Sequence, residues 1–380
     1  MQRVLLSTIA AILVWCGSWT LAANPDDATP APGSFTAEIE KTVAAYKTRE
    51  RLFYDELRLV KQDKAKVSKA NDEYREDVGV LIKAYIESLK RHESDPAFLD
   101  GVVALVADLS YPLPDEIKAI VMDRFIKDPR MGRMCAELGS RGSETWSKEI
   151  LEALLARSPD RETRGRAALA LGEYYRYAIL PWGLKKPADE ADAAIAKARE
   201  FYSLVALDYA DVRGADEKRT LGQTAALQLT RLDNLPNLKV GKLAPEIVGK
   251  DLDGKKLRLS EHRGKVVVLV FWGSWCGPCM RMVPHERELF QKYQNKSFAL
   301  IGVNSGDDLE KAQETVEKNE MSWRHWWDEG GTRESPIQIA YNVQQWPTVY
   351  VIDKTGVIRH IDPSTKVLDE AIKTLLAEEK

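Results

Sequence analysis

Cysteine is scarce in this chain of 380 residues, which contains only four. A scaffold stapled by disulfide bonds needs more, so the fold must depend on packed apolar cores. If Cys276 bonds to Cys279, and Cys16 leaves with an export signal, Cys135 remains as a single thiol. We interpret Cys135 as a small buried residue on a helix, the alternative being a resolving or regulatory thiol.

An excess of charge of either sign is also absent. Lys and Arg number 55 against 58 Asp and Glu, which gives a formal net charge of −3. No global field therefore draws the chain to nucleic acid or to an anionic membrane surface, and no nucleic-acid partner is predicted. A length of 380 residues, with 44% hydrophobic and 30% charged side chains, is typical of a soluble protein with two domains.

The N-terminus carries one positive charge and then an almost wholly apolar stretch from Val4 to Trp15. Small residues suited to cleavage follow, ending at Ala23. This order is typical of a secretory signal over residues 1–23. An uncleaved membrane anchor is the alternative, because apolar residues continue to Leu21. In either case we expect an exported chain, periplasmic or otherwise extracytoplasmic, with a possible membrane tether at its N-terminus.

An α-helical domain is predicted over residues 35–235, after a flexible linker at 24–34 that holds three prolines. Apolar side chains recur at steps of three and four from Ile39 to Tyr85, which is a helical register. Polar residues interrupt it. A continuous coiled coil and a hairpin that turns within residues 61–71 are both compatible with the pattern.

Two later segments, residues 167–175 and 196–209, resemble the paired helices of a tetratricopeptide repeat. Small residues in the first segment would let neighbouring helices approach closely. The turn over residues 179–190 is longer than the repeat allows, and no further copies follow at a fixed period. Repeat-like stacking therefore remains one alternative within an all-α domain.

Short strands begin to alternate with helices beyond Gly241, which places a domain boundary near Leu235. The predicted strands are Lys256–Leu259, Val266–Phe271, Phe298–Val303 and Thr348–Asp353. The predicted helices run from Cys279 to Tyr293, from Asp308 to Asn319 and from Val367 to Glu379. Apolar strands separated by helices indicate a sheet covered on both faces, so residues 240–380 are predicted to form an α/β domain.

A pair of cysteines separated by two residues follows the buried strand that ends at Phe271. Because helical sequence comes next, Cys276 lies at a helix N-terminus, where free N–H groups and the helix dipole favour a thiolate. We assign Cys276 as the nucleophile. Cys279 is the resolving thiol, which attacks a mixed disulfide and releases product. Pro278 suits the first helical turn, where its missing N–H is not needed.

Two other kinds of chemistry use similar cysteines. A zinc site needs a second cysteine pair or nearby histidines, whereas Cys135 lies in the other domain and the five histidines are scattered. A peroxide-reducing thiol of the peroxiredoxin type has an upstream threonine and proline, whose places are taken by Gly273 and Leu269. We therefore predict no metal, and no cofactor other than a redox-active disulfide between Cys276 and Cys279.

The C-terminal domain, residues 240–380, resembles the TlpA/ResA family of exported thioredoxins. The resemblance is carried by Trp275 to Cys279, by the run from Gly264 to Trp272, by Pro284 in the following helix, and by Trp346 to Thr348 before a strand. It implies a thioredoxin-like α/β fold.

The resemblance also implies residue roles. Pro347 would be cis and would face the dithiol, leaving nearby backbone free to pair with substrate, so it joins Cys276 and Cys279 as a catalytic residue. The expected substrate-contact residues are Trp275, Gly277, Pro278 and Trp346.

The family's activity is the reduction of protein disulfides outside the cytoplasm with electrons from a membrane thiol donor, and cytochrome c maturation is a common task. The pair Gly277 and Pro278 resembles that of reducing thioredoxins. One alternative is a disulfide isomerase or oxidase using the same dithiol. The other is a scaffold in which the helices do the main work and the redox domain is accessory.

Two positions depart from the family pattern. Val270 and Met282 stand where relatives carry a carboxylate that exchanges protons with the resolving thiol. His285 and Glu286 are expected on an exposed helix face, so we predict slow proton transfer at Cys279. The tryptophans around His325 are expected to fill the core or to cover a strand edge; they are Trp323, Trp326 and Trp327.

Overall fold

The computed structural model describes residues 33–378, apart from positions 61, 62, 143, 178, 180–187, 215–217 and 330–334. The predicted signal, Cys16 and most of the predicted linker lie outside this part of the chain. The described residues form two compact units that divide between Ala226 and Leu227. None of the helices described is long and apolar enough to cross a membrane.

The N-terminal unit is helical, as predicted. Its helices, with the last continuing past the division, are α1 (Phe35–Val60), α2 (Lys64–Arg91), α3 (Phe98–Val103), α4 (Asp115–Ile120), α5 (Cys135–Gly139), α6 (Thr145–Arg157), α7 (Arg161–Tyr177), α8 (Ala188–Asp208) and α9 (Leu221–Asn234). Short π-helical turns extend α3 and α4, and a 3₁₀ turn leads into α5.

Helices α1 and α2 form an antiparallel hairpin, so the hairpin alternative is the correct one. The rings of Phe53 and Tyr74 stack at 4.2 Å near one end, and those of Phe35 and His92 stack at 4.5 Å near the other. The Asp63 carboxylate caps α2 by accepting two N–H groups of its first turn.

Helices α6, α7 and α8 pack side by side. Small residues on α7 permit this approach, since a Cβ at Gly172 would lie 2.5 Å from the Tyr202 ring of α8. On α5, Cys135 is buried among apolar side chains. Burial raises the pKa of the Cys135 thiol to about 12, so it remains a thiol at neutral pH. The prediction of a small buried residue on a helix is confirmed.

The C-terminal unit has a five-stranded mixed sheet in the order β5-β4-β3-β6-β7. Its strands are β3 (Val266–Trp272), β4 (Phe298–Ser305), β5 (Arg324–Asp328), β6 (Thr348–Ile352) and β7 (Ile358–Ile361), and a separate hairpin pairs β1 (Val248–Lys250) with β2 (Lys256–Arg258). Strands β3, β4 and β5 are parallel to one another, β6 is antiparallel to β3, and β7 is antiparallel to β6. The carboxyl ends of β3, β4 and β5 therefore meet at one edge of the sheet.

In the part of this unit that the structure describes, four helices follow α9, namely α10 (Gly277–Tyr293), α11 (Leu309–Lys318), α12 (Pro336–Ala340) and α13 (Thr365–Ala377). The side chains of β3 alternate between two apolar cores. Val268 and Val270 face a core with α10 and α13, and Leu269 and Phe271 face a core with the β1–β2 hairpin. The sheet is covered on both faces, as the apolar strands predicted.

Candidate active site

The two cysteines lie where the central strand β3 gives way to α10. Cys276 is the N-cap residue of α10, and its Sγ accepts a hydrogen bond of 3.1 Å from the N–H of Cys279. Cys279 follows in the first turn, and the two sulfur atoms are joined in a disulfide. When the disulfide is reduced, this N–H group and the helix N-terminus stabilise a thiolate on Cys276. The geometry suits Cys276 to nucleophilic attack.

A short loop, residues 273–275, connects β3 to Cys276. The Asp307 carboxylate accepts hydrogen bonds from the Ser274 N–H at 2.8 Å and from the Ser274 hydroxyl at 2.6 Å. The Trp275 indole N–H donates to the Ser305 carbonyl at 3.0 Å. Both acceptors follow or end β4, so two adjacent parallel strands jointly hold the loop.

Asp307 was not predicted from the sequence. The available signal was its place directly after the buried strand β4, because neighbouring parallel strands end at the same edge of a sheet. Its third hydrogen bond comes from the Asn304 side-chain amide at 2.7 Å. The carboxylate thus organises this edge of the sheet.

The peptide bond between Trp346 and Pro347 is cis, as the family resemblance implies. The next residue, Thr348, pairs with Phe271 in the sheet, which brings Pro347 to the end of β3 that carries the dithiol. The rings of Trp275 and Trp346 meet edge to face at 5.2 Å. The structure therefore brings both ends of the predicted site together.

A second carboxylate holds the proline loop. Asp362 accepts a hydrogen bond from the Val349 N–H at 2.7 Å, and it adopts a left-handed backbone conformation with φ 46°. The Thr348 hydroxyl donates to the Gln345 carbonyl at 2.8 Å. Asp362 directly follows the short strand β7 and was not predicted from the sequence.

The surface around the disulfide offers a place for a substrate chain. Cys276 and Cys279 are buried, but the three residues between and before them, Trp275, Gly277 and Pro278, are exposed. Trp275 is 40% exposed, which is high for so large an apolar side chain. The residues predicted to touch substrate thus form a partly apolar rim around the dithiol.

The expected exposure of Glu286 is not observed. Glu286 was expected on an exposed helix face, but it is only 4% exposed, and burial alone raises its pKa to about 8. His285 is half-buried, with Nε2 lying 2.9 Å from Asp369 on α13. The expectation was wrong because α10 turns positions 279, 283 and 286 toward one side.

His325 lies in the core behind the dithiol loop. Its Nδ1 accepts a hydrogen bond of 3.0 Å from the Trp272 indole, and Nε2 lies 3.3 Å from the Met321 carbonyl. An indole N–H can only donate, so the proton of the neutral ring is on Nε2. Burial lowers the His325 pKa to about 4.

The tryptophans around His325 fill the core of the unit, as expected: Trp323 and Trp326 are buried, and Trp327 is partly buried. Among the described side chains, no group of three or more His, Cys, Asp or Glu is placed to hold a metal ion.

A thioredoxin-type sheet, a disulfide at a helix N-terminus and a cis-proline beside it define a dithiol exchange protein. Residues 240–361 match the AhpC/TSA family. The chain is 34% identical over 131 residues to thiol-disulfide oxidoreductase ResA of Geobacillus thermodenitrificans, covering 34% of this chain and 73% of the relative. It is 32% identical over 137 residues to thioredoxin-like protein YneN of Bacillus subtilis, covering 35% and 76%.

Among solved structures, a thiol-disulfide oxidoreductase from Bacteroides fragilis is similar at 28% identity with a TM-score of 0.34, covering 36% of this chain and all (100%) of that chain. The sequence matches show that the chain belongs to the ResA family of thiol–disulfide oxidoreductases, through its C-terminal unit. It is therefore a thiol–disulfide oxidoreductase.

Proposed function

We propose that this protein is an extracytoplasmic reductase of protein disulfides. In the proposed reaction the Cys276 thiolate attacks a substrate disulfide, forms a mixed disulfide with one sulfur and expels the other as a thiol. Cys279 then attacks Cys276, which closes the Cys276–Cys279 disulfide and releases the reduced substrate. The cycle needs a donor of two electrons, and we assign that role to a membrane thiol protein.

The observation that carries this proposal is the hydrogen bond from the Cys279 N–H to Cys276 Sγ at the start of α10. It activates Cys276, the half of the dithiol that lies beside the exposed Trp275. The two residues between the cysteines are Gly277 and Pro278, and neither side chain can donate a hydrogen bond or carry a charge. Since the thiolate gains no support from them, the reduced form is not strongly stabilised, which favours a reducing couple.

The predicted catalytic roles of Cys276, Cys279 and Pro347, and the substrate-contact roles of Trp275, Gly277, Pro278 and Trp346, are parts of this proposal. In this proposal the Cys276–Cys279 disulfide serves as the redox group. Export is supported by the charged and then apolar N-terminal sequence. An alkaline phosphatase fusion to the C-terminus, active only outside the cytoplasm, tests the location. An inactive fusion at normal expression would contradict export.

The redox direction is tested by the reduction potential of the Cys276–Cys279 couple, measured by equilibration with glutathione or dithiothreitol. A reductase should lie at about −250 mV or lower, whereas a value near about −120 mV, typical of strong oxidants, would overturn the proposal. Insulin reduction by the intact chain should vanish with Cys276→Ser. Cys279→Ser should accumulate mixed disulfides with substrate, because the resolving thiol is absent.

A further inference from the structure

Glu286 lies on the same buried stripe of α10 as the resolving cysteine. The buried residues of this helix recur at steps of four and three and are Cys279, Val283, Glu286, Leu289 and Tyr293. Such spacing places them on one face of a helix. A carboxyl group therefore occupies a position that the pattern would give to an apolar residue.

Glu286 differs from the other buried carboxyl groups described in the C-terminal unit. Asp251 pairs with Arg324, and Asp328 accepts two backbone N–H groups at the start of α12. Within the part of the chain that the structure describes, no group forms a hydrogen bond or ion pair with the Glu286 side chain. An unpaired buried carboxyl group destabilises a fold, so its presence calls for a reason other than stability.

The position of Glu286 relative to Cys279 suggests that reason. Seven residues separate them, which is about 10.5 Å along the axis, and helical side chains lean toward the N-terminus. On this shared face, the general lean of helical side chains is from Glu286 in the direction of Cys279, two helical turns away. The nearer positions, Val270 and Met282, offer no proton acceptor.

We propose that Glu286 exchanges a proton with Cys279 and so couples the resolving step to pH. The proposal rests on the dithiol exchange described above. In the mixed disulfide, the ionised fraction of Glu286 accepts the proton of the Cys279 thiol, and the Cys279 sulfur bonds to Cys276 Sγ. The Cys276–substrate bond breaks with its electron pair on the substrate sulfur. That thiolate is then protonated from solvent, and Glu286 returns its proton to solvent.

Burial is the cause of the raised Glu286 pKa, and none of the charged groups that the structure describes contributes to it. Strands β3 and β4 contain no titratable residue, and Tyr350 of β6 belongs to the opposite core. Asp369 of α13 faces His285. On the other side, Arg287 pairs with Glu320, which follows α11. The remaining charged residues of α13 are exposed, and they are Lys366, Glu370 and Lys373.

The test measures alkylation of Cys279 as a function of pH in the full chain carrying Cys276→Ser. With Glu286 present, the profile should show two coupled steps, because the ionised carboxylate opposes formation of a thiolate. Glu286→Gln should give a single step, with a midpoint about one pH unit lower. Glu286→Asp should keep the two-step form. Glu288→Gln, an exposed charge on the same helix, is the matched control and should change nothing.

A profile that Glu286→Gln moves no further than Glu288→Gln does would overturn the proposal. A second measurement needs no substitution of Glu286. It follows the pH titration of the glutamate carboxyl groups by ¹³C NMR in the oxidised and in the reduced protein. Linkage requires the Glu286 titration to shift between the two redox states, and identical titrations would also refute the coupling. Loss of insulin reduction in Cys276→Ser tests the dithiol function separately, so the two failures are distinguishable.

Discussion

The carboxylate of Asp307 accepts two hydrogen bonds from Ser274, one from the backbone N–H at 2.8 Å and one from the hydroxyl at 2.6 Å. Ser274 stands two residues before Cys276, so a residue beyond β4 fixes the loop that carries the nucleophile. The Asn304 amide donates to the same carboxylate at 2.7 Å. Hydrogen bonds to an ionised acceptor are stronger than neutral ones, which makes this an effective anchor for the dithiol.

Asp307→Ala should therefore weaken both the fold and the reaction. The Ser274 N–H and hydroxyl lose their acceptor, at a cost of about 1–3 kcal/mol in the free energy of unfolding. Because the loop loosens, insulin reduction should fall several-fold. Asp307→Asn keeps one acceptor oxygen and should be intermediate. Glu310→Gln, an exposed change on α11, is the control, and an Asp307→Ala chain that behaves like it would show that the anchor has no role.

A substitution at Gly273 tests how tightly the same loop is packed. A Cβ there would overlap the Trp275 indole and lie 2.9 Å from the Ser305 carbonyl oxygen. Gly273→Ala should destabilise the protein by about 1–3 kcal/mol, since backbone cannot move aside easily, and should lower insulin reduction by displacing Trp275. Gly79→Ala, in α2 with nothing within 4 Å of its Cβ, should instead stabilise by about 0.5–1 kcal/mol. Equal changes in thermal stability would contradict this account.

Local patterns were enough to predict the strand, dithiol and helix at the centre of the site. The run at β3 is wholly apolar, and the cysteine spacing and Pro278 indicate a helix start. The edge strands β5 and β7 were missed. Strand β5 mixes charged and aromatic residues, and β7 has Arg359 and His360 between two isoleucines. Edge strands need less apolar character than central ones. Their pairing with β4 and β6 depends on tertiary contacts.

Asp307 and Glu286 were not predicted as site residues, for two different reasons. Asp307 acts on Ser274 only because β3 and β4 are parallel neighbours, which no local pattern reveals. Glu286 was judged by the habit of charged residues to stay solvated. Counting helical steps of four and three from Cys279 would have placed it on the buried stripe. The helical periodicity of this segment was thus a better guide to the burial of Glu286 than the general tendency of charged residues to be exposed.

Glu286 should make the oxidised protein less stable as the pH rises from about 4.5 to about 8. Its pKa is raised from 4.5 to about 8 by burial, so the folded state holds a proton that the unfolded state releases. Stability is therefore unaffected below about pH 4.5 and falls as pH rises to about 8, by roughly 3–5 kcal/mol in all. Urea unfolding of Glu286→Leu and Glu288→Gln at several pH values checks this. Only Glu286→Leu should lose the decline, and parallel curves for both variants would contradict it.

His325 should make the protein sensitive to acid. Burial lowers the pKa of His325 from 6.5 to about 4. Between these pH values the unfolded chain binds a proton at His325 and the folded protein does not. The stability that follows from a neutral His325 is complete above about pH 6.5 and is lost as pH falls toward 4, a change of about 3 kcal/mol.

Two substitutions separate this titration from the hydrogen bond that His325 accepts from Trp272. His325→Phe removes both, so it should cost about 1–3 kcal/mol at pH 7, because the buried indole N–H loses its acceptor. His325→Gln keeps an acceptor oxygen and should cost less at pH 7. Both variants should lose less stability than the unaltered protein between pH 7 and pH 4, as measured by urea unfolding. An acid-induced loss equal in all three proteins would show that another group is responsible.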